Sequence, residues 1–438
     1  MKQKKGRWLI LWAWGVVCVA DPVQADDLME IYRLALRHDA QYAASLAQRR
    51  VGDEQPIQGR AGLLPQISFD AQTSWSETEY KVVTGTVEQR RQNRSYGVQL
   101  VQPLFRWQNW IQYKQGQQQK LLADLQAESA GQALILRVTE AYFNVLNMVD
   151  VIDALEQLQA ADELQLASAR KNFDLGNASI VDVHEAQMSH DRTIAQLVKA
   201  KSALVLAKQA LTQLTGRHPG SLKRLGNRVM LSPPEPTDVE TWVTAAERGN
   251  LEVQAQELSL QITDNDVRSR KAEHLPTIDM VVSQSMQQSP NASTERSESA
   301  AIGIRLNIPL FSGGRTTSST REALALREQA KYELEDTRRS TALAAREAWA
   351  GVMDGIAQLK ALETAQSSAD AAVRSNQKGY QLGMRTSADV LEVQSQLSDI
   401  VQQLAKVRYD ILLAKLQLKA TVGSLTPQDL NEINMLFE

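Results

Sequence analysis

Cysteine is almost absent from this 438-residue chain: Cys18 is the only one. It falls inside an N-terminal segment that reads as a secretory leader. Lys2, Lys4, Lys5 and Arg7 precede an apolar run from Trp8 to Ala20, and Val23-Gln24-Ala25 offers a small-residue cleavage site. Val17 stands where a small residue would have to precede a lipidated cysteine, so a lipoprotein reading fails. Removal of residues 1–25 leaves no cysteine, which excludes a disulfide scaffold, a thiol nucleophile and a cysteine metal site. Beyond the leader no run of 18 apolar residues occurs, so no segment is long enough to span a bilayer as a helix. An exported chain of this kind is either free outside the cytoplasm or held in a membrane as a β-barrel. Basic excess is lacking too. The formal charge of −3 becomes about −6 once the leader is gone, which argues against a nucleic-acid partner.

Catalytic signals are equally sparse. His38, His184, His190, His218 and His274 are scattered, and the six-residue gap between His184 and His190 does not put them on one helical face. Neither a glycine-rich phosphate loop nor a nucleophile elbow occurs. The carboxylates lie on helix faces without a cleft. The expectation is a protein with no cofactor, no metal and no enzymatic activity.

Proline is missing from two long stretches, between Pro103 and Pro219 and between Pro309 and Pro427. Both are rich in Ala, Leu, Gln, Glu, Lys and Arg, the good helix formers. From Trp107 to Asn172 an uninterrupted helix would run some 66 residues, or roughly 100 Å at 1.5 Å per residue. Helices that long must pack side by side. Leu134, Val138, Ala141, Val145, Met148, Ile152 and Leu155 follow a 4-3-4-3 rhythm, as do Val390 to Leu418 through Leu397, Leu404 and Ile411. That spacing is a coiled-coil seam.

The two stretches are copies. Asn172–Gln187, NFDLGNASIVDVHEAQ, and Gly379–Gln394, GYQLGMRTSADVLEVQ, align at a shift of 207. Leu64-Pro65 matches Leu275-Pro276, Pro103-Leu-Phe105 matches Pro309-Leu-Phe311, and Leu206-Ala-Lys208 matches Leu413-Ala-Lys415. Four landmarks in one order indicate a duplication into 26–230 and 237–425, joined by the stiff segment Leu231-Ser-Pro-Pro-Glu-Pro236 and followed by a tail, 426–438. Each half predicts a helix (about Leu28–Arg60 and Val239–Glu273), then a β-hairpin (about 65–106 and 276–312), then long helices (about 107–216 and 315–422).

The hairpin strands alternate. Ile67, Phe69, Ala71, Thr73 and Trp75 share one face, Tyr96, Val98 and Leu100 another, with Ile278, Met280 and Val282 and then Ile302, Ile304, Leu306 and Ile308 following suit. A soluble antiparallel sheet shows the same pattern. Outer-membrane barrels need at least about eight strands, so four per chain close a barrel only if several chains pool them; three would supply twelve. A periplasmic structural or signalling coiled coil and a conventional porin are the competing readings. The first leaves the amphipathic hairpins unexplained, the second the long helices.

These residues resemble the TolC family of outer-membrane efflux and secretion ducts. The likeness rests on Ala141-Tyr-Phe-Asn-Val-Leu-Asn147, His274-Leu-Pro-Thr277, Pro309-Leu-Phe-Ser-Gly-Gly314 and both glycine turns, and it covers nearly all of the chain after the leader. It implies a mainly α fold with a small β part: a homotrimer whose twelve-stranded barrel in outer-membrane lipid continues into a coiled-coil α-helical barrel. It also implies a periplasmic adaptor protein and an inner-membrane ABC or proton-driven pump as partners. Locally, Gly176 and Gly383 are helix stops, and Ser179-Ile-Val-Asp182 and Thr386-Ser-Ala-Asp389 are capped restarts. The resemblance makes these corners a periplasmic gate, with Tyr380 and Arg385 reaching Asp182, and an acidic entrance ring on Asp389 and Glu392. Two positions depart from the family pattern: Val181 offers only its backbone, and Glu392 is longer than the usual Asp.

Overall fold

The computed structural model describes residues 26–226, 231–289 and 296–437. The leader, residues 1–25, lies outside them, as do the middle of the second hairpin tip and 227–230 just before the proline segment. Two helices come first, α1 (Leu28–His38) and α2 (Ala40–Ala61), then strands β1 (Gln66–Val82) and β2 (Gly85–Phe105), then α3 (Trp107–Asp174) and α4 (Ile180–Thr215). The same order follows in α5 (Val239–Gly249), α6 (Leu251–Ala272), β3 (Thr277–Gln288), β4 (Arg296–Asn307), α7 (Arg315–Gln381) and α8 (Ser387–Thr421), and a short α9 (Pro427–Asn434) ends the chain.

The proline-free stretches are the long helices. α3 has 68 residues and α7 has 67, which at 1.5 Å per residue makes each roughly 100 Å long. Each pairs with the shorter helix that follows it. The 4-3 seam is buried as expected: Leu134 and Val138 are wholly buried, and Val145, Ile152 and Leu155 nearly so. Along α8 the matching positions Val390, Leu404, Val407, Ile411 and Leu418 are buried too. α2 lies so close to α3 that side chains are excluded at the contact: a Cβ on Gly116 would stand 2.5 Å from the Gln55 carbonyl oxygen.

One expectation needs correction. The helix ahead of each hairpin is not continuous. It breaks at Asp39 and again at Asn250, both extended (ψ 116° and 130°). The Asp39 carboxylate accepts from the Tyr42 N–H at 2.6 Å, and the Asn250 amide oxygen accepts from Glu252 and Val253 N–H at 2.9 and 3.1 Å. Each residue thus ends one helix and caps the next, which offsets the lost helical hydrogen bonds. The segment after Thr421, read only as a tail, carries a helix of its own. Thr426 and Asp429 form a capping box for α9, and Phe437 stacks on Phe143 at 5.9 Å while meeting Tyr142 edge-on at 5.7 Å. Tyr142 and Phe143 belong to the segment Ala141–Asn147, so that motif is the centre of the largest core, shared by α1, α3, α4, α8 and α9.

The strands form one antiparallel sheet in the order β1-β2-β3-β4. β2 and β3 join the two halves of the chain from Arg94↔Gln288 down to Phe105↔Ile278, with a bulge between Pro103 and Phe105. The bulge turns Phe105 onto the face that carries Ile278. Below it, the Arg106 guanidinium grips Asp279 with two parallel hydrogen bonds of 2.8 and 2.6 Å. β1 and β4 are the sheet's two edges, and its apolar side chains are bare: Phe69, Trp75, Ile302 and Ile304 are each more than 60% exposed. Among the described residues no helix is long and apolar enough to cross a membrane.

Candidate functional site

At the end of the molecule opposite the sheet, two helix corners stand side by side. Their geometry follows from their sequence. Gly176 (φ +75°) and Gly383 (φ +74°) take the left-handed conformation that a helix stop requires. Around them the Asn177 N–H donates to the Asn172 carbonyl at 2.8 Å, and the Met384 N–H to the Gly379 carbonyl at 2.9 Å. The chain restarts through two capping boxes with Asp as the third residue: Asp182 accepts from the Ser179 N–H and Asp389 from the Thr386 N–H, both at 2.9 Å.

These caps determine what the candidate gate residues do within one protomer. The Asp182 carboxylate is engaged with the Ser179 backbone and does not receive Tyr380. The Tyr380 hydroxyl instead accepts from Asn172 Nδ2 at 3.2 Å, across the two hairpins. Arg385 lies over its own corner, 4.0 Å from Asp389. The Thr386 N–H and hydroxyl, with that guanidinium, hold the Asp389 carboxyl below its ordinary value. Glu392 is exposed and accepts from Gln396 at 2.8 Å. Asp389 and Glu392 therefore sit within one turn of each other, on the same side as Arg385. Among the described residues no group of three or more His, Cys, Asp or Glu is placed to hold a metal ion.

The hairpins meet through a seam that turns polar toward the corners. Leu166, Ala169, Ala186 and Leu391 make a small apolar cluster. Beside it the buried Gln165 donates to Ser387 Oγ at 2.9 Å, and Arg192 reaches Ser395 Oγ at 3.4 Å. One step further from the corners, Asp162 is wholly buried and accepts from Thr193 and Ser189 at 2.6 and 3.3 Å. Sequence reading missed Asp162, Gln165 and Asn172. A signal for Asp162 exists: it occupies the next seam position but one after Leu155, where a 4-3 rhythm calls for an apolar residue.

Burial raises the Asp162 carboxyl above its ordinary value, against the pull of the two hydroxyls, His190 and Arg192. A carboxyl raised on folding destabilises the native state as pH climbs through the unfolded value, and it regains stability as pH falls. Asp162→Asn is therefore expected to melt about as high as the parent near pH 4 and higher at pH 7, by roughly 1 kcal/mol. Thermal unfolding followed by circular dichroism at both values checks this; a gain of the same size at both would reject the titration account.

The Outer membrane efflux protein family matches residues 31–217 and 242–424. The chain is 30% identical over 422 residues to the outer membrane protein TolC of Vibrio cholerae, covering 95% of each. It is 29% identical to the alkaline protease secretion protein AprF of Pseudomonas aeruginosa, over 98% of this chain and 92% of that one. The fold superposes on the crystal structure of the Campylobacter jejuni CmeC outer membrane channel with a TM-score of 0.80 at 15% identity, over 94% of this chain and 90% of that one. For VceC of Vibrio cholerae the values are 0.78 and 16%, over 90% and 96%. A chain matched along both halves by one family, and along nearly its whole length by relatives in sequence and in fold, belongs to that family: it is an outer membrane efflux protein of the TolC type.

Proposed function

We propose that three copies of this chain pool their sheets into a twelve-stranded barrel and their long helices into a tunnel, forming the exit duct of a tripartite efflux or type I secretion system. One observation carries the reading: a four-stranded sheet with both edges open and its apolar face bare. In lipid, unpaired edge groups cost several kcal/mol each, so an isolated sheet of this kind does not persist there. Pairing β4 of one copy with β1 of the next removes every edge. The height agrees. Ile278 to Gln288 spans ten residue steps, about 33 Å along the strand and about 23 Å of depth at a 45° tilt, close to the apolar band of outer-membrane barrels.

Each protomer contributes two repeats to the wall, 26–230 and 237–425, so the trimer has six helix corners around one mouth. Asp182, Tyr380 and Arg385 would hold neighbouring corners together there, and three copies of Asp389 and Glu392 would line the bore with negative charge. The duct itself is passive. Small molecules or unfolded protein are driven by an inner-membrane ABC or proton-driven pump and handed over through a periplasmic adaptor. The secretion named in AprF and the efflux named in the Brucella suis outer membrane efflux protein BepC, which is 25% identical, support both cargo classes.

Membrane fractionation with gel electrophoresis tests the assembly. The expected result is a trimer in the outer-membrane fraction that runs intact when unheated and as a monomer after boiling. Recovery as a soluble periplasmic monomer would refute the duct.

A further inference from the structure

On the apolar face the ladder can be followed row by row, because residues directly opposite in register share a face. One row is Ala71, Tyr96, Met286 and Glu298; the next is Thr73, Arg94, Gln288 and Arg296. Among the described residues only β1 and β2 continue beyond it, with Trp75 opposite Gln92 and Glu77 opposite Arg90. The face thus changes abruptly from apolar to cationic at the level of Arg94.

The neighbouring charges are already balanced. Arg296 is paired with Glu298, and Arg90 with Glu77 at 2.7 Å. Arg94 is exposed, and among the described residues its guanidinium makes no hydrogen bond or ion pair. Tyr96 lies one row below and Trp75 diagonally above, 40% and 73% exposed. Those are the amphipathic rings that settle at a membrane–water boundary. At the far end of the band, Phe105, Trp107 and Trp110 form a second aromatic group, all at least 40% exposed. Among the described residues no unpaired arginine stands on the apolar face there.

We propose that Arg94, with Gln288 beside it and Tyr96 and Trp75 around it, seats a phosphate of an outer-leaflet phosphorylated glycolipid. This rests on the barrel reading above, which places the Arg94 row about 23 Å from Ile278 and so at headgroup depth. A guanidinium there gains a charge-assisted bond to a phosphate that a neutral headgroup does not provide. Three such seats ring the trimer, one per copy.

Purified full-length trimer titrated with diphosphorylated lipid A and with its dephosphorylated form, followed by native mass spectrometry, tests the seat. The wild type should bind the phosphorylated lipid about fivefold more tightly. Arg94→Gln should abolish that preference, and Arg94→Lys should keep most of it. Arg91→Gln, which removes the same charge from the opposite face, should keep all of it. Equal binding of both lipids by the wild type, an equal loss in Arg91→Gln, or displacement by inorganic phosphate alone would each overturn the proposal. Heat-modifiability is measured on every sample: a wild type that forms no trimer defeats the barrel reading, whereas an intact trimer without lipid preference defeats only this inference.

Discussion

Channels carrying Tyr380→Phe together with Arg385→Ser are expected to stand open far more often than the wild type, and to pass correspondingly more current in planar bilayers. Within one protomer the Tyr380 hydroxyl accepts the hydrogen bond from Asn172 that ties the second corner to the first. Phenylalanine keeps the ring and deletes that acceptor. Arg385 stands 4.0 Å from Asp389 on an exposed corner, so its charge is available to a neighbouring copy. Serine removes it. Each lost contact of this kind is worth about 0.5–1.5 kcal/mol, and the three-copy mouth proposed above would lose it three times. If the corners open together, the closed state gives up about 3 kcal/mol or more, enough to raise the open population by about a hundredfold. The turns themselves stay folded, because Gly176, Gly383 and both capping boxes are untouched. Unchanged single-channel conductance and open probability would remove these residues from the gate.

Arg106→Ala should be the most destabilising single change described here, lowering stability by about 1–3 kcal/mol, since the guanidinium side of the pair is partly solvated. The pair it breaks joins the residue just before α3 to β3 with two parallel hydrogen bonds, and Asp279 is 4% exposed. Removing the guanidinium leaves a buried carboxylate with nothing to neutralise it. Restoring balance should rescue much of the loss: Arg106→Leu combined with Asp279→Leu is expected to be far milder than either single change. Arg106→Lys should fall between, since an ammonium keeps the charge but not the two-pronged fit. The temperature at which the trimer band of the proposed assembly is lost on gels compares these three variants and the two leucine single changes. Equal loss in the single and double variants would show that the site matters for packing rather than for charge.

Much of the molecule was legible in the chain because its determinants are local. Pro65 and Pro276 stop the first helices just where β1 and β3 begin. Each proline-free stretch became a long helix and a shorter one, α3 with α4 and α7 with α8, since only the glycine corners within it oppose a helix and the 4-3 seam supplies a face to bury. The corners were legible for the same reason: a left-handed glycine and a serine or threonine three residues before an aspartate carry their own geometry. The gate was less so. The resemblance points Tyr380 at Asp182, whereas inside one protomer the cap has already engaged Asp182 and the tyrosine meets Asn172.

By itself, the sequence determined which segments are helix and which are strand, how long they run and where they turn, because propensity, period and capping act over a few residues. Only the tertiary structure decided what those segments do to one another. Asp39 and Asn250 look like ordinary polar helix residues until a cap is required of them. Phe437 looks like the end of a tail until it closes over Tyr142 and Phe143. Arg106 and Asp279 are 173 positions apart, and no local pattern announces their pairing; it exists because β2 and β3 align in one register and the bulge below them turns the chain. Asp162 interrupts an apolar seam, and only the hydroxyls of the facing helix make that position tolerable. Contacts of this kind depend on which surfaces long elements bring together, and that is settled by packing rather than by any residue's neighbours in the chain.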